Sequence, residues 1–128
     1  MNNKILSTAA FFGMTSIVLG AFGAHALKQV LTIEQLTTFE TGVKYQMYHA
    51  LFLLFLGLNT EISKELKKTI LVLTIFGVVF FSGSIYLLAT DSLNSFNFKT
   101  IGFITPIGGL LLIVAWGLLM VHFLKKKI

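Results

Sequence analysis

The amino-acid sequence predicts an all-α membrane protein, a bundle of four transmembrane helices with both termini in the cytoplasm. Of its 128 residues, 55% are hydrophobic and the mean hydropathy is +0.86, well above the composition of a soluble domain. Four stretches contain no Asp, Glu, Lys or Arg, namely 5–27, 45–60, 69–90 and 100–124. Three of them exceed the roughly 20 residues that cross about 30 Å of hydrocarbon. The second is short, but Gly42, Val43 and a snorkelling Lys44 extend it.

The lysines indicate the orientation. The amino terminus, the loop after the second run and the tail hold seven lysines, which are Lys4, Lys64, Lys67, Lys68, Lys125, Lys126 and Lys127. The opposite side holds three, Lys28, Lys44 and Lys99. The positive-inside rule therefore predicts cytoplasmic termini. Because the lysines flank apolar runs and form no basic face between aromatics, the net charge of +5 does not indicate nucleic-acid binding.

Enzymatic activity is not predicted. The chain has no cysteine, which excludes disulfides, thiolate nucleophiles and thiolate metal sites. It has no nucleophile elbow, P-loop or dinucleotide fingerprint. A metal or haem site between His25 and His49 would lack a close ligand pair such as His-x-x-x-His. We therefore expect a non-enzymatic protein with no metal and no cofactor.

The first helix is predicted over residues 4–27. Ser16, Gly20 and Ala24 recur at a spacing of four, with Gly23 nearby, so this stripe is predicted to pack against another helix. Ala24-His25-Ala26 also has the form of a signal-peptide cleavage site, but the run is longer than a usual signal core. A membrane-spanning helix is the favoured interpretation.

The second helix is predicted over residues 33–58. Thr32 and Gln35 have the spacing of a capping box at its start. Its 26 residues would measure roughly 39 Å, more than the hydrocarbon thickness. Residues 33–42 could thus lie on the membrane surface, with a bend at Gly42.

The third and fourth helices are predicted over residues 63–90 and 101–124. Gly83 in the third, and Pro106, Gly108 and Gly109 in the fourth, are predicted helix-packing positions. Thr105 is the favoured N-cap, with Pro106 in the first helical position. The alternative is a helix from residue 101 that is kinked or broken at Pro106 and the two glycines.

This topology places the polar motifs of the four helices at one level in the outer half of the bundle. The predicted ligand-binding residues are His25, Tyr45, Gln46, Tyr48, His49, Ser82, Ser84, Tyr86 and Thr105. His49 is the best single candidate, facing His25, although a hydrogen-bonded neutral histidine would also serve a structural role. The tyrosines could instead form an aromatic belt, and the Trp116 indole needs an acceptor within the bundle.

Four ordered motifs, "GAFGAHALK", "YQMYHALFLL", "GSIYLLA" and "ITPIGGLLLIVAW", resemble those of the YgdD/YwdK family of small bacterial inner-membrane proteins. The resemblance covers nearly the whole chain. It implies a four-helix integral membrane protein and no particular reaction, substrate or cofactor. The family residues matched here are Gly20, Gly23, His25, Tyr45, Gln46, His49, Gly83, Tyr86, Thr105, Pro106, Gly108 and Gly109. Ala26 and Lys44 depart from the family pattern, where glycine and glutamine are frequent.

Two functions follow as hypotheses. In the first, the outer polar site binds a lipid, quinone or other small amphiphile, or passes a small solute, with His49 as the polar anchor. In the second, the chain is a structural or assembly protein that forms a homo-oligomer or packs with partner helices through the stripe of Ser16, Gly20 and Ala24. Membrane lipids are the expected partners in both cases, in the bacterial plasma membrane.

Overall fold

The computed structural model describes residues 2–93 and 102–125, which form four long helices. Helix α1 spans Asn2–His25, α2 spans Ile33–Leu58, α3 spans Lys64–Ala89 and α4 spans Ile104–Lys125. Short 3-10 turns follow α1 at Leu27–Gln29 and α3 at Asp91–Leu93. The described residues contain no strand. The predicted all-helical fold is confirmed.

Three of the helical segments are long and apolar enough to cross a membrane, namely Asn2–Gln29, Lys64–Ala89 and Ile104–Lys125. Helix α2 has the length but not the composition, because Lys44, Gln46 and His49 lie within it. The polar side chains that make α2 a candidate for function are also those that weaken its hydropathy as a membrane span.

Helices α1 and α2 form an antiparallel pair with close backbone contact. A Cβ atom on Gly57 would lie 2.7 Å from Leu6, and one on Gly23 would lie 3.1 Å from Phe39. Between these points Gly20 faces Val43 at an ordinary distance of 3.5 Å. The small residues of α1 therefore pack inside the chain, as helix-packing positions should.

Two residues of the predicted stripe behave differently from each other. Ser16 is buried, whereas Ala24 is exposed. The expectation that Ala24 packs against a helix is thus wrong within this chain, because its neighbour Gly23 is the residue that faces Phe39 of α2.

Helix α3 is interrupted by one π-helical turn where α4 touches it. Its α-helical part Lys64–Val78 is followed by the π-helical turn Val79–Gly83 and by α-helical Ser84–Ala89. A Cβ atom on Gly108 of α4 would lie 2.4 Å from the backbone nitrogen of Phe81. Only glycine fits there, so the two backbones meet at the π-helical turn, a feature frequent at functional sites.

Two other predicted packing positions are wrong. A Cβ atom on Gly83 would meet no atom within 4 Å, and Pro106 is exposed. Gly83 faces away from its neighbours because the π-helical turn directs the chain's contacts through Phe81 and Ser82 instead.

The start of α4 also differs from the prediction. The helix begins at Ile104, so Thr105 is not its N-cap and Pro106 is its third residue. A proline is tolerated there because the first-turn N–H groups have no acceptor within the helix. The helix continues through Gly108 and Gly109 without a break, and the alternative start at residue 101 lies outside the described residues.

Helix α2 is continuous and keeps its capping box. The Thr32 side chain accepts from the Gln35 backbone N–H at 3.1 Å, and the Gln35 side chain accepts from the Thr32 N–H at 2.9 Å. Its first third does not leave the bundle as predicted, because Phe39 packs in a small cluster with Leu27 and Ala89.

The main core lies toward the end of the bundle that carries Asn2 and Lys125, which we call the terminal end. We call the opposite end, where α1 joins α2 and where α3 ends, the loop end. The core consists of aliphatic and aromatic side chains from all four helices, the most deeply buried being Ile5, Leu53, Leu56, Ile70 and Ala115. It forms an apolar layer below the polar side chains of α2.

Changing Gly108 to Ala should destabilise the bundle by about 2 kcal/mol or more, because the new methyl group meets backbone atoms that cannot yield. Gly117→Ala on the same helix is the matched control, since its Cβ would meet no atom within 4 Å and alanine favours helices. Thermal unfolding in mild detergent compares the two. Equal stabilities would contradict the close approach of α3 and α4.

Candidate functional site

The side-chain amide of Gln46 connects three helices near the middle of the bundle. Its Nε2 donates to the Phe12 carbonyl at 3.0 Å and to the Thr15 hydroxyl at 2.6 Å, both in α1. Its Oε1 accepts from the Tyr86 hydroxyl of α3 at 2.6 Å. Since a carbonyl oxygen only accepts, the Phe12 contact fixes which end of the amide faces α1. This buried amide is therefore satisfied within the protein.

Helix α3 is tied to both of its neighbours by serines. The Ser82 hydroxyl donates to the Gly42 carbonyl of α2 at 2.7 Å. The Ser84 hydroxyl contacts the Thr105 hydroxyl of α4 and donates to the Phe81 carbonyl at 3.0 Å. Each hydroxyl thus has a partner in a region with little water to supply one.

Close packing accompanies these bonds. The Tyr86 ring lies over Gly42, where a Cβ atom would come within 2.6 Å of the ring. The same ring contacts Phe39, with the centroids 5.1 Å apart. Gly42 therefore makes room for the tyrosine whose hydroxyl reaches Gln46.

His49 is hydrogen-bonded through both ring nitrogens. Its Nε2 accepts from the Trp116 indole N–H of α4 at 3.0 Å. Its Nδ1 lies 2.6 Å from the Tyr45 carbonyl, so Nδ1 carries the proton and donates it, because the indole is only a donor and the carbonyl only an acceptor. The imidazole is thereby held as one neutral tautomer. The indole has the acceptor within the bundle that its position in the sequence requires.

The predicted pairing of His25 with His49 is wrong. Because Gly13 packs on Ala50, His49 lies level with Met14, and His25 is eleven residues further along α1. That spacing corresponds to about 16 Å along the helix. His25 is exposed at the loop end, at the side of a shallow cavity formed by its own neighbours in sequence.

The contacts connect most of the other predicted binding residues, but not all of them at one level. Gln46 bonds to Tyr86, and Ser84 contacts Thr105. His49 instead bonds to Trp116, which is eleven residues and about 16 Å along α4 from Thr105. Tyr48 instead points outward from α2 and is 52% exposed. Its ring meets the Tyr45 ring at an edge, with the centroids 5.4 Å apart.

A groove lies beside this polar cluster, between α2 and α4. It has a volume of about 510 Å³ and is lined by Tyr45, His49, Phe81, Gly109, Leu112, Ile113 and Trp116. The Tyr45 hydroxyl at its edge has no hydrogen-bond partner in the part of the chain that the structure describes. Gly109, predicted as a packing residue, lies along this groove and touches only the Phe81 ring.

A second cavity lies toward the terminal end, on the other side of Trp116. It has a volume of about 430 Å³ and is lined by Tyr48, Leu51, Phe52, Phe55, Trp116, Leu119 and Phe123. From Gly109 to Phe123 the two cavities extend about 21 Å along α4. We call them together the lateral groove. Its walls are mainly apolar and aromatic, apart from Tyr45 and His49 at one end.

Three participants were not predicted from the sequence. Thr15 carries no distinguishing pattern, and its role depends on the register of α1 against α2. Trp116 was expected to need an acceptor, but nothing in the sequence pairs it with His49. Lys67 counts in the sequence only as an orientation signal, yet it is buried. Of these three residues, only Lys67 could have been found from the sequence. It lies three residues before Ile70, so it shares the apolar face of the amphipathic first turns of α3.

Metal ligation receives no support from the described residues. They contain no group of three or more His, Asp or Glu side chains that could hold an ion. Both nitrogens of His49 are occupied by the bonds given above. What remains for a ligand at this site is the apolar wall of the lateral groove and the Tyr45 hydroxyl.

The fold and the polar cluster define an integral membrane protein of the helical class. The family described as "Protein of unknown function (DUF423)" matches residues 19–109. The chain is 35% identical over 127 residues to a UPF0382 membrane protein of Haemophilus influenzae, covering 99% of this chain and 98% of that one. It is 32% identical to the UPF0382 inner membrane protein YgdD of Escherichia coli strain K12, covering 96% and 91% of the two chains. A UPF0382 membrane protein of Staphylococcus haemolyticus is 42% identical over 88% of each chain.

The chain therefore belongs to the DUF423 family, and the resemblance to YgdD is confirmed. A relative is named as an inner membrane protein, and three helices are long and apolar enough to cross a membrane. The protein therefore lies in the cell membrane, and its helices are compatible with several crossings. No solved structure matches the chain.

Changing Tyr86 to Phe should cost about 1 kcal/mol of stability, because the Gln46 Oε1 loses its donor inside the bundle. Tyr45→Phe is the matched control, since the Tyr45 hydroxyl has no partner among the described residues. Unfolding in detergent by heat compares the variants. An equal loss in both would contradict the tie between α2 and α3 through Gln46.

Proposed function

We propose that the protein is a non-enzymatic membrane protein that holds a lipid or other small amphiphile in the lateral groove. In this proposal the chain crosses the membrane four times, with both termini in the cytoplasm and the loop end outside. The observation that carries the proposal is an apolar groove, open at its side, with one unpartnered hydroxyl at its loop end.

The fourth crossing is supported by the pairing of α2 with α1. Contacts run from Gly57 beside Leu6 to Gly23 beside Phe39. The 18 residues from Phe39 to Gly57 cover about 27 Å, close to the thickness of the hydrocarbon layer. If α1 spans the membrane, α2 passes through the same depth beside it.

The outward surface of α2 supports the same conclusion. From Tyr45 onward its exposed large side chains are apolar or aromatic, namely Tyr45, Tyr48, Leu51, Leu54, Phe55 and Leu58. Exposed charged residues, Glu34, Glu40 and Lys44, precede them. This change from charged to apolar exposed side chains is typical of a helix that enters hydrocarbon near Tyr45.

An amphiphile suits the groove by shape and by chemistry. The groove opens on the surface that would face lipid, where Ile113 is 68% exposed. Its two cavities together extend along about 21 Å of α4, more than half the hydrocarbon thickness, and one acyl or isoprenoid chain that passes over Trp116 could occupy both. At the loop end the Tyr45 hydroxyl can donate to a carbonyl, ester or quinone oxygen. A few polar groups at one end of an apolar pocket are typical of such sites.

Tyr45 is the polar anchor in this proposal, and His49 is a positioning residue. The two nitrogens of His49 bond to Trp116 and to the Tyr45 carbonyl, so neither is available to a ligand. What the histidine does is hold the indole as one wall of the groove. This differs from the hypothesis drawn from the sequence, in which His49 itself contacts the ligand.

Passage of a solute through a single copy is less well supported. The polar groups of Gln46 and Ser82 are already satisfied by neighbours. Below them Leu53, Leu56 and Ile70 are fully buried in an apolar layer. No polar path through the described residues leads across that layer.

The assembly hypothesis no longer has its main support. The stripe on α1 packs against α2 of the same chain, as the contacts of Gly20 and Gly23 indicate. Of the predicted stripe, Ala24 alone is exposed. Formation of a homo-oligomer therefore stays a prediction from the sequence.

Changing Gly109 to Leu should prevent lipid from binding in the lateral groove, because the leucine side chain would occupy the part of the groove nearest the loop end. A Cβ there would lie 3.5 Å from the Phe81 ring, an ordinary contact, so the fold should persist. Native mass spectrometry after purification in mild detergent measures the retained lipid. Gly117→Leu, on the same helix but outside the groove, should retain as much as the unmodified protein. Equal retention in all three proteins would refute the proposal.

Single cysteines should report the topology, since the chain has no cysteine of its own. In intact cells a membrane-impermeant thiol reagent should label Gln29→Cys, in the turn after α1, but not Thr60→Cys, in the turn after α2. Both should react after the membrane is opened. Labelling of both in intact cells would mean that α2 does not cross.

A further inference from the structure

A polar cavity lies at the terminal end, on the far side of the apolar core from the lateral groove. It has a volume of about 620 Å³ and is lined by Asn2, Asn3, Thr60, Ile62, Lys64 and Lys67. These residues come from the start of α1, the turn after α2 and the start of α3. No carboxylate is among them. The cavity is therefore surrounded by hydrogen-bond donors and positive charge.

Lys67 is the unusual member of this cavity, because it is a lysine that is only 3% exposed. Its ammonium donates to the Asn2 side-chain oxygen at 3.0 Å and to the Asn59 carbonyl at the end of α2. No carboxylate in the described part of the chain forms an ion pair with it. A buried charge with only neutral acceptors is costly, and a nearby anion would offset that cost.

The Lys67 ammonium can also donate one further hydrogen bond. It carries three N–H donors, and the two contacts to Asn2 and Asn59 occupy two of them. Because the Asn2 oxygen accepts from Lys67, its amide nitrogen is left to donate elsewhere. The exposed Lys64 adds a second ammonium at the rim of the cavity.

The charge around the cavity is strongly one-sided. Five of the described lysines lie at the terminal end, against Glu61 and Glu65; they are Lys4, Lys64, Lys67, Lys68 and Lys125. Glu61 lines a different cavity, together with His122 and Lys125. Glu65 is exposed on α3 and does not line the polar cavity. Neither carboxylate thus lines the polar cavity.

We propose that this cavity binds a phosphate group, held by Lys67, Lys64 and the amide of Asn2. Two ammonium groups and side-chain amides are donors that a phosphate accepts through several oxygens. If α2 crosses the membrane as proposed above, the turn after it lies just outside the hydrocarbon layer, at the depth of lipid phosphates. The phosphate belongs either to the headgroup of an anionic lipid or to free phosphate.

Binding of two lipids with the same acyl chains tests the proposal. The full chain in neutral detergent is titrated with phosphatidylglycerol and with diacylglycerol, which lacks the phosphate, and bound lipid is counted by native mass spectrometry. Phosphatidylglycerol should bind about tenfold more tightly, which corresponds to one charge-assisted hydrogen bond. Lys64→Gln should remove most of that preference, since it deletes an ammonium without disturbing the core.

The controls separate charge at the cavity from charge in general. Lys28→Gln removes an exposed lysine at the loop end and should leave the preference unchanged. Lys67→Met should abolish it, but it alters a buried site, so the exposed Lys64 carries the test if that variant does not fold. Equal binding of the two lipids, or an equal loss in Lys28→Gln and Lys64→Gln, would overturn the proposal.

Inorganic phosphate distinguishes the two sources. Millimolar phosphate is added to the unmodified protein and to Lys64→Gln, each with bound phosphatidylglycerol. If phosphate displaces the lipid from the unmodified protein but not from the variant, the site accepts free phosphate. If phosphatidylglycerol stays bound, its headgroup is the ligand. Gly109→Leu, which fills the lateral groove, should keep the lipid preference, so the two sites can fail independently.

Discussion

The structure depends on one constraint, that the buried amide of Gln46 must find its hydrogen-bond partners inside the protein, because hydrocarbon supplies none. Gln46 meets it by bonding to Phe12, Thr15 and Tyr86 in two other helices. In membranes such bonds contribute about 1 kcal/mol each. Their main effect is on geometry, because only one register of α1, α2 and α3 satisfies the whole amide.

Glycines let the helices come close enough for those bonds to form. Gly42 makes room for the Tyr86 ring, and its carbonyl accepts from Ser82. Gly108 meets the backbone of α3 at the π-helical turn. Since the packing and the hydrogen bonds require the same register, they reinforce each other, and the site is held rigidly beside the lateral groove.

The two candidate sites have opposite chemistry. The lateral groove is apolar with Tyr45 at one end, whereas the cavity at Lys67 is polar and basic. An apolar core containing Leu53 and Ile70 separates them. A protein with this arrangement is suited to contact lipid at two depths, the chain region through the groove and the phosphate region through the cavity.

Local composition and spacing were enough to predict the four helices and the capping box of α2, and the predicted topology put Gln46 and Tyr86 at one level without pairing them. The prediction that His25 lies level with His49 was wrong, because the ends of charge-free runs give the depth of a residue in the membrane only to within a few residues. The relative depth of two helices is decided by the contacts between them, here Gly13 on Ala50. Only the tertiary structure paired Trp116 with His49 and buried Lys67, because those contacts join residues far apart in the chain whose meeting depends on that register.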